Sequence, residues 1–210
     1  MNATRASTLK GQIRRIGRAG HPRWQFLRGF IKHPVMVGSI IPSSDKLIAK
    51  MLAPVDWTAT HLFVEYGPGV GTFTRPLLDL LGPDARLIAI DTNAEFINFL
   101  RKDIDDPRLI AVTGSAADVE KIIAAHGFKH ADYVLSGLPF STLPPGVGDA
   151  IGKATAKVIR DGGAFLVYQF SPKVRDFIAP FFERIERGFE WVNVPPATLF
   201  WAYRERPKTN

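Results

Sequence analysis

Val64-Glu65-Tyr66-Gly67-Pro68-Gly69-Val70-Gly71 closes a short apolar run, His61–Tyr66, and opens a helical pattern carried by Phe73, Leu77, Leu78 and Leu81. Strand, glycine turn and helix in that order form the first part of a βα unit. Glycines at 67, 69 and 71 let the backbone turn sharply and approach a ligand without Cβ clashes. Glu65, at the strand end, is placed to pair with a ligand ammonium. A dinucleotide turn carries its third glycine three residues after the second, as G-x-G-x-x-G. Here the spacing is G-x-G-x-G, with an acid two residues before the first glycine. The bland alternative is a plain βα turn.

The alternation continues outward from this turn. Arg86–Ile90 predicts a second strand and Ala94–Lys102 a second helix, capped by Thr92 or Asn93. Leu109–Val112 and Ala117–Ala125 follow as strand and helix, then Asp132–Leu135, ending in Ser136-Gly137-Leu138-Pro139-Phe140. Val147–Ile159 predicts a helix, Ala164–Phe170 an apolar central strand and Lys173–Glu183 a last helix. Phe189–Val194 and Leu199–Tyr203, joined through Pro195-Pro196, read as an antiparallel pair, because a short connection cannot serve a parallel one. The expectation is an α/β fold with a mostly parallel sheet and one antiparallel strand.

Composition sets outer limits. The chain has 210 residues, 46% of them hydrophobic, which excludes a wholly disordered chain and a multi-span membrane protein. It has no Cys, which removes disulfides, zinc–thiolate sites, iron–sulfur clusters and thiol nucleophiles. No metal site is expected. The net charge of +7 is unevenly placed: residues 1–44 carry eight basic residues and no acid, and the remainder holds 19 basic against 20 acidic residues. Two units follow, a basic leader over residues 1–44 and a near-neutral domain over 45–210. The leader is basic throughout and lacks the apolar core of a secretory signal.

Asp91 ends the second strand, 20 residues after Gly71, where an acid accepts both ribose hydroxyls of an adenosine cofactor; capping the next helix is its bland role. Ser115 and Ala116 follow the third strand, where the adenine lies in such folds; Ser115 equally suits a helix cap. As a set, the acid-GxGxG turn, the strand-two acid and the terminal hairpin resemble the class I S-adenosylmethionine-dependent methyltransferases. The resemblance covers residues from about 60 to 205. It implies a Rossmann-like seven-stranded sheet in the order 3-2-1-4-5-7-6 and S-adenosylmethionine as cofactor, leaving as S-adenosylhomocysteine. It implies that Glu65 holds the methionine amine, that Gly67, Pro68, Gly69 and Gly71 line the methionine portion, and that Asp91 with Thr92 binds the ribose. Ser136 and Gly137 would then face the sulfonium.

Ser136-Gly137-Leu138-Pro139-Phe140 is similar to the Asn-Leu-Pro-Tyr motif of ribosomal-RNA adenine dimethylases, whose Asn side chain and a backbone carbonyl grip the adenine amine. Ser136 and Gly137 stand where that amide would be, so the polar grip is weakened while the Pro-aromatic pair persists. In the leader, Leu9, Ile13 and Ile16 share one side of a helical wheel, and Lys10, Arg14, Arg15 and Arg18 spread over the other. Trp24, Phe26, Leu27, Phe30 and Ile31 follow, interleaved with Arg23, Arg28 and Lys32. A basic amphipathic segment with aromatic residues lies in an anionic bilayer interface, each basic residue contributing about 1 kcal/mol. Packing on the domain, or a basic RNA-binding arm, are the alternatives.

With Gly38-Ser39-Ile40-Ile41-Pro42-Ser43-Ser44 added, the chain resembles the short bacterial phospholipid N-methyltransferases from about Trp24 onward, more closely than the RNA dimethylases. The resemblance implies stepwise methylation of phosphatidylethanolamine to phosphatidylcholine on the inner face of the cell membrane, without nucleic acid. Ile41, Ser43 and Ser44 would then lie over the cofactor at the substrate entrance. Capping of a helix Asp45–Leu52 is the bland role of the same serines. An ornithine-lipid N-methyltransferase, an RNA adenine dimethyltransferase and a non-catalytic cofactor-binding module are the alternatives. The expected reaction is in-line attack by a neutral amine on the sulfonium methyl. Tyr168 is the best-placed candidate base and Phe140 a cation–π partner for the growing ammonium, each with a buried packing role as its bland reading. Arg175, Lys173 and Arg75 are candidates for a lipid phosphate, with solvation at the surface as the default.

Overall fold

The computed structural model describes residues 44–169, 174–191 and 196–205. The leader positions Arg14, Arg15, Arg18, Trp24, Phe26, Arg28, Phe30 and Lys32, together with Ile41, Ser43 and Lys173, lie outside the described residues. Helix α1 (Asp45–Leu52) is followed by β1 (Leu62–Tyr66), α2 (Thr74–Leu80), β2 (Arg86–Asp91), α3 (Ala94–Asp103) and β3 (Leu109–Thr113). Then come α4 (Val119–Ala125), β4 (Ala131–Ser136), α5 (Val147–Val158), β5 (Ile159–Gln169), α6 (Val174–Ile178), β6 (Arg184–Glu190) and β7 (Ala197–Tyr203).

The strands form one seven-stranded sheet in the order β3-β2-β1-β4-β5-β7-β6, with β7 antiparallel to both neighbours. Every residue of β1 and β4 is buried, as expected for central parallel strands covered on both faces. Leu47, Leu77 and Ile97 pack α1, α2 and α3 against one face; Val119, Ile151 and Val174 pack α4, α5 and α6 against the other. Strand order reverses between β1 and β4. A parallel α/β sheet leaves a crevice at such a point, outside the carboxyl ends of the strands.

Local chemistry sets most boundaries. Ser44 caps α1, accepting from the Leu47 N–H at 3.2 Å, so the capping role expected of Pro42-Ser43-Ser44 falls to Ser44. Asn93, not Thr92, caps α3, accepting from the Glu95 N–H at 2.8 Å. At the opposite end of the sheet, the buried Asp132 carboxylate accepts from the His61 and Leu62 N–H groups at 2.7 and 2.8 Å and from the Arg160 guanidinium. One acid thereby joins the starts of β1, β4 and β5.

Three elements depart most from the expected bounds. β5 begins at Ile159 rather than Ala164, because Gly162-Gly163 is a bulge that bonds back to Arg204 and not a break. α6 stops at Ile178, and Ala179–Phe181 continues as a 3-10 turn. β6 spans Arg184–Glu190 instead of Phe189–Val194. Its register is set by pairing along β7, from Arg184 opposite Tyr203 to Glu190 opposite Ala197. As a half-exposed edge strand it carries charge, so the apolar run beyond it gave the misleading signal.

Candidate active site

The glycine turn leaves β1 at the switch point. Gly67, Gly69 and Gly71 all have positive φ, at 65°, 54° and 80°, a region that side chains with a Cβ rarely adopt. The fit is tight as well: a Cβ at Gly71 would meet Leu100 Cδ2 at 2.9 Å. The Gly67 N–H donates to the Ile90 carbonyl at 2.9 Å and the Gly137 N–H to the Tyr66 carbonyl at 3.2 Å, so the turn is held between the ends of β2 and β4.

Two acids flank it. Glu65 is buried and accepts from Thr74 Oγ1 at 2.7 Å. Burial, opposed by that hydrogen bond and reinforced by Asp91, pushes its carboxyl up to about 8. A carboxylate held out of water without a countercharge in the described residues suits a ligand cation. Asp91 accepts from the Asn93 N–H at 2.9 Å and from the backbone of Gly69 and Thr92, which ties the turn to β2. Burial raises it as well, against those hydrogen bonds. A carboxylate offers about four acceptor positions, so three backbone donors leave it able to take a hydroxyl.

Beyond β4, Gly137 admits the Tyr168 side chain: a Cβ there would overlap the Tyr168 hydroxyl. Tyr168 stacks on Phe73 at 4.7 Å, on the Glu65 side of the sheet. Burial pushes its hydroxyl above the ordinary tyrosine range. That shift disfavours the general-base role expected for it. Gln169, which the sequence reading missed, sends its buried amide to the Leu138 carbonyl; the Phe140 N–H donates to the same carbonyl at 2.9 Å.

Other expected positions turn inward. Phe140 is 1% exposed, its ring between Phe165 and Phe177 in the core, so it presents no face to a substrate ammonium. Ser136 is fully buried and accepts from the Leu138 N–H at 3.2 Å, shaping the β4 loop rather than touching ligand. Ala116 packs into the core, leaving only its backbone near the β3 end. Ser115 accepts from the Ala117 N–H at 3.2 Å and retains its own proton for a ligand acceptor. Arg75 is paired with Asp103 at 2.6 Å and is spent on holding α2 to α3. No metal-ligating cluster occurs among the described residues.

The sheet order, the positive-φ glycine turn after β1 and the acid ending β2 together make up the class I S-adenosylmethionine-dependent methyltransferase fold, which implies S-adenosylmethionine as cofactor. No known family profile matches the chain. It is 29% identical over 178 residues to an ornithine lipid N-methyltransferase of Singulisphaera acidiphila, covering 84% of this chain and 93% of that protein. It is 36% identical over 93 residues to the ribosomal RNA small subunit methyltransferase H of Bordetella avium, covering 44% of this chain and 26% of that protein. Among solved structures, precorrin-6y C5,15-methyltransferase from Geobacter metallireducens superposes with a TM-score of 0.61 at 13% identity, over 77% of this chain and 90% of that one. That last likeness concerns the fold alone.

Proposed function

We propose that this protein methylates the amine of a membrane lipid at the bilayer surface, with ornithine lipid favoured over phosphatidylethanolamine as acceptor. The observation that carries this is the near full-length similarity to an ornithine lipid N-methyltransferase. The substrate side of the site agrees: with Gly137 in place of an amide and the Leu138 carbonyl engaged by Gln169 and Phe140, little is left to grip a planar adenine amine. The match to an RNA methyltransferase spans about a quarter of that protein, too little to carry an RNA substrate across.

Glu65 would hold the ammonium of the methionine moiety, Asp91 and Thr92 the ribose, and the glycine turn the methionine chain. Bound there, S-adenosylmethionine supplies an electrophilic methyl group on a sulfonium. Phe73 and Tyr168 form an apolar wall that excludes water, and burial disfavours a lipid ammonium against the neutral amine that must attack. With the Tyr168 hydroxyl raised by burial, proton loss is left to solvent at the interface. Orientation of amine and methyl supplies most of the rate. Incubation with the cofactor and ornithine-lipid vesicles should yield lipid heavier by one methylene per transfer in the mass spectrum; unchanged lipid would refute the reading. Membrane attachment would come from residues 1–44, placing the enzyme at the inner face of the cell membrane. No described helix is long and apolar enough to cross one.

A further inference from the structure

The edge strand β6 turns one face toward the α6 side of the sheet. Ile185 and Arg187 lie on that face, and Phe189 continues the alternation to Trp191, just past the strand end. Ile185 packs against the core. The rings of Phe189 and Trp191 lie 4.2 Å apart. Trp191 is 75% exposed, the one large hydrophobic side chain so open to solvent among the described residues. Beside them, Arg175 and Arg187 line an open pocket of about 360 Å³ with Asp176, Ile185 and Phe200. Neither arginine has an ion-pair partner among the described residues.

We propose that this edge is a second lipid-contact surface, in which Arg175 and Arg187 take the phosphate of an anionic phospholipid and Phe189 and Trp191 enter the bilayer interface. Two guanidiniums against Asp176 leave one net positive charge, matching a phosphodiester monoanion. Aromatic rings set beyond the cations suit an interface with charge at the headgroups and apolar chains deeper. The position also fits. Arg187 lies in register with Phe200, Val167, Ser136 and Tyr66 across the sheet, and β6 ends on the side where the glycine turn opens. Docking here presents the methyl-donor end of the sheet to the membrane.

The phosphate in question is not that of the acceptor. Three strand spacings separate Arg187 from Ser136, about 14 Å. A phosphate joined to a reacting amine by a two-carbon arm stays near Gly137, so the pocket serves a neighbouring lipid. The inference rests on the lipid reading above and adds a contact that the leader does not supply.

The test uses the full chain, wild type, Trp191→Ala and the double variant Arg175→Gln/Arg187→Gln, sedimented with phosphatidylcholine vesicles with and without phosphatidylglycerol. All three side chains are solvent-facing, and unchanged melting with unchanged cofactor affinity verifies folding. The double variant should bind the anionic vesicles more weakly, about fivefold per arginine, equivalent to ~1 kcal/mol each. Trp191→Ala should weaken binding to both kinds of vesicle, whereas the double variant should leave binding to phosphatidylcholine alone unchanged. Wild-type vesicle affinity in both variants overturns the edge contact, even where amino-lipid methylation in detergent persists. Saturable binding of inorganic phosphate that the double variant loses, with vesicle binding intact, overturns it in favour of a free-anion site. Loss of RNA binding with intact vesicle binding overturns it in favour of RNA. Absence of amino-lipid methylation by the wild type in detergent refutes the lipid reading instead, and the vesicle data then decide the edge contact alone.

Discussion

Glu65 is the residue on which the proposed cofactor recognition turns. The folded chain holds its proton up to about pH 8, whereas the unfolded chain releases it in the ordinary carboxylate range. The unfolded state therefore binds fewer protons between those limits, and the stability of the cofactor-free protein falls as pH rises through that window. Glu65→Gln should flatten that slope in urea melts at pH 5 and pH 8; an unchanged slope would place the titration elsewhere. The cofactor ammonium favours the charged carboxylate, so binding near neutral pH should expel a proton, read by calorimetry in buffers of different ionisation enthalpy. Asp91→Ala should cost at least tenfold in cofactor affinity, about 1.4 kcal/mol. Unaltered affinity would sink the ribose assignment. The positions of Glu65 and Asp91 were legible because each lies at the end of a strand, one marked by the glycine spacing and the other by its distance from it. The insides of Phe140 and Ser136 were not: a motif gives position along the chain, while which way a side chain points depends on which face of the sheet its neighbours fill.

At the scale of elements, the central strands could be read because two-sided burial makes them continuously apolar, and the sheet order followed from the resemblance that their turns support. β6 could not, since its pairing with β7 and not its hydropathy fixes its limits. Asp132 escaped notice for the same reason: nothing near it in sequence reveals that it will take the His61 and Leu62 N–H groups at the start of β1 and Arg160 of β5. Removing it leaves a partly buried guanidinium and two backbone donors without their acceptor. Asp132→Ala should destabilise the fold by about 3 kcal/mol, measured by denaturant titration, with cofactor affinity unchanged in the fraction still folded. A loss below 1 kcal/mol would show that water replaces the carboxylate.

For the whole molecule, charge divides the chain more clearly than hydropathy does. Eight basic residues and no acid lie in the first 44 positions, against a remainder that is close to neutral. Deleting residues 1–34 should remove most affinity for anionic liposomes while cofactor binding persists; full sedimentation with vesicles after deletion would exclude a membrane arm. The methyl-donor fold was legible in three short stretches, the glycine turn, the strand-two acid and the terminal hairpin. The acceptor was not: Gly137 and Tyr168 meet only across the sheet, a contact that no linear motif encodes. Transfer of a radiolabelled methyl group from S-adenosylmethionine, compared side by side on ornithine lipid, phosphatidylethanolamine and ribosomal RNA, tests the central claim most directly. Label in a lipid amine, strongest in ornithine lipid, is the predicted result; label in RNA alone would contradict it.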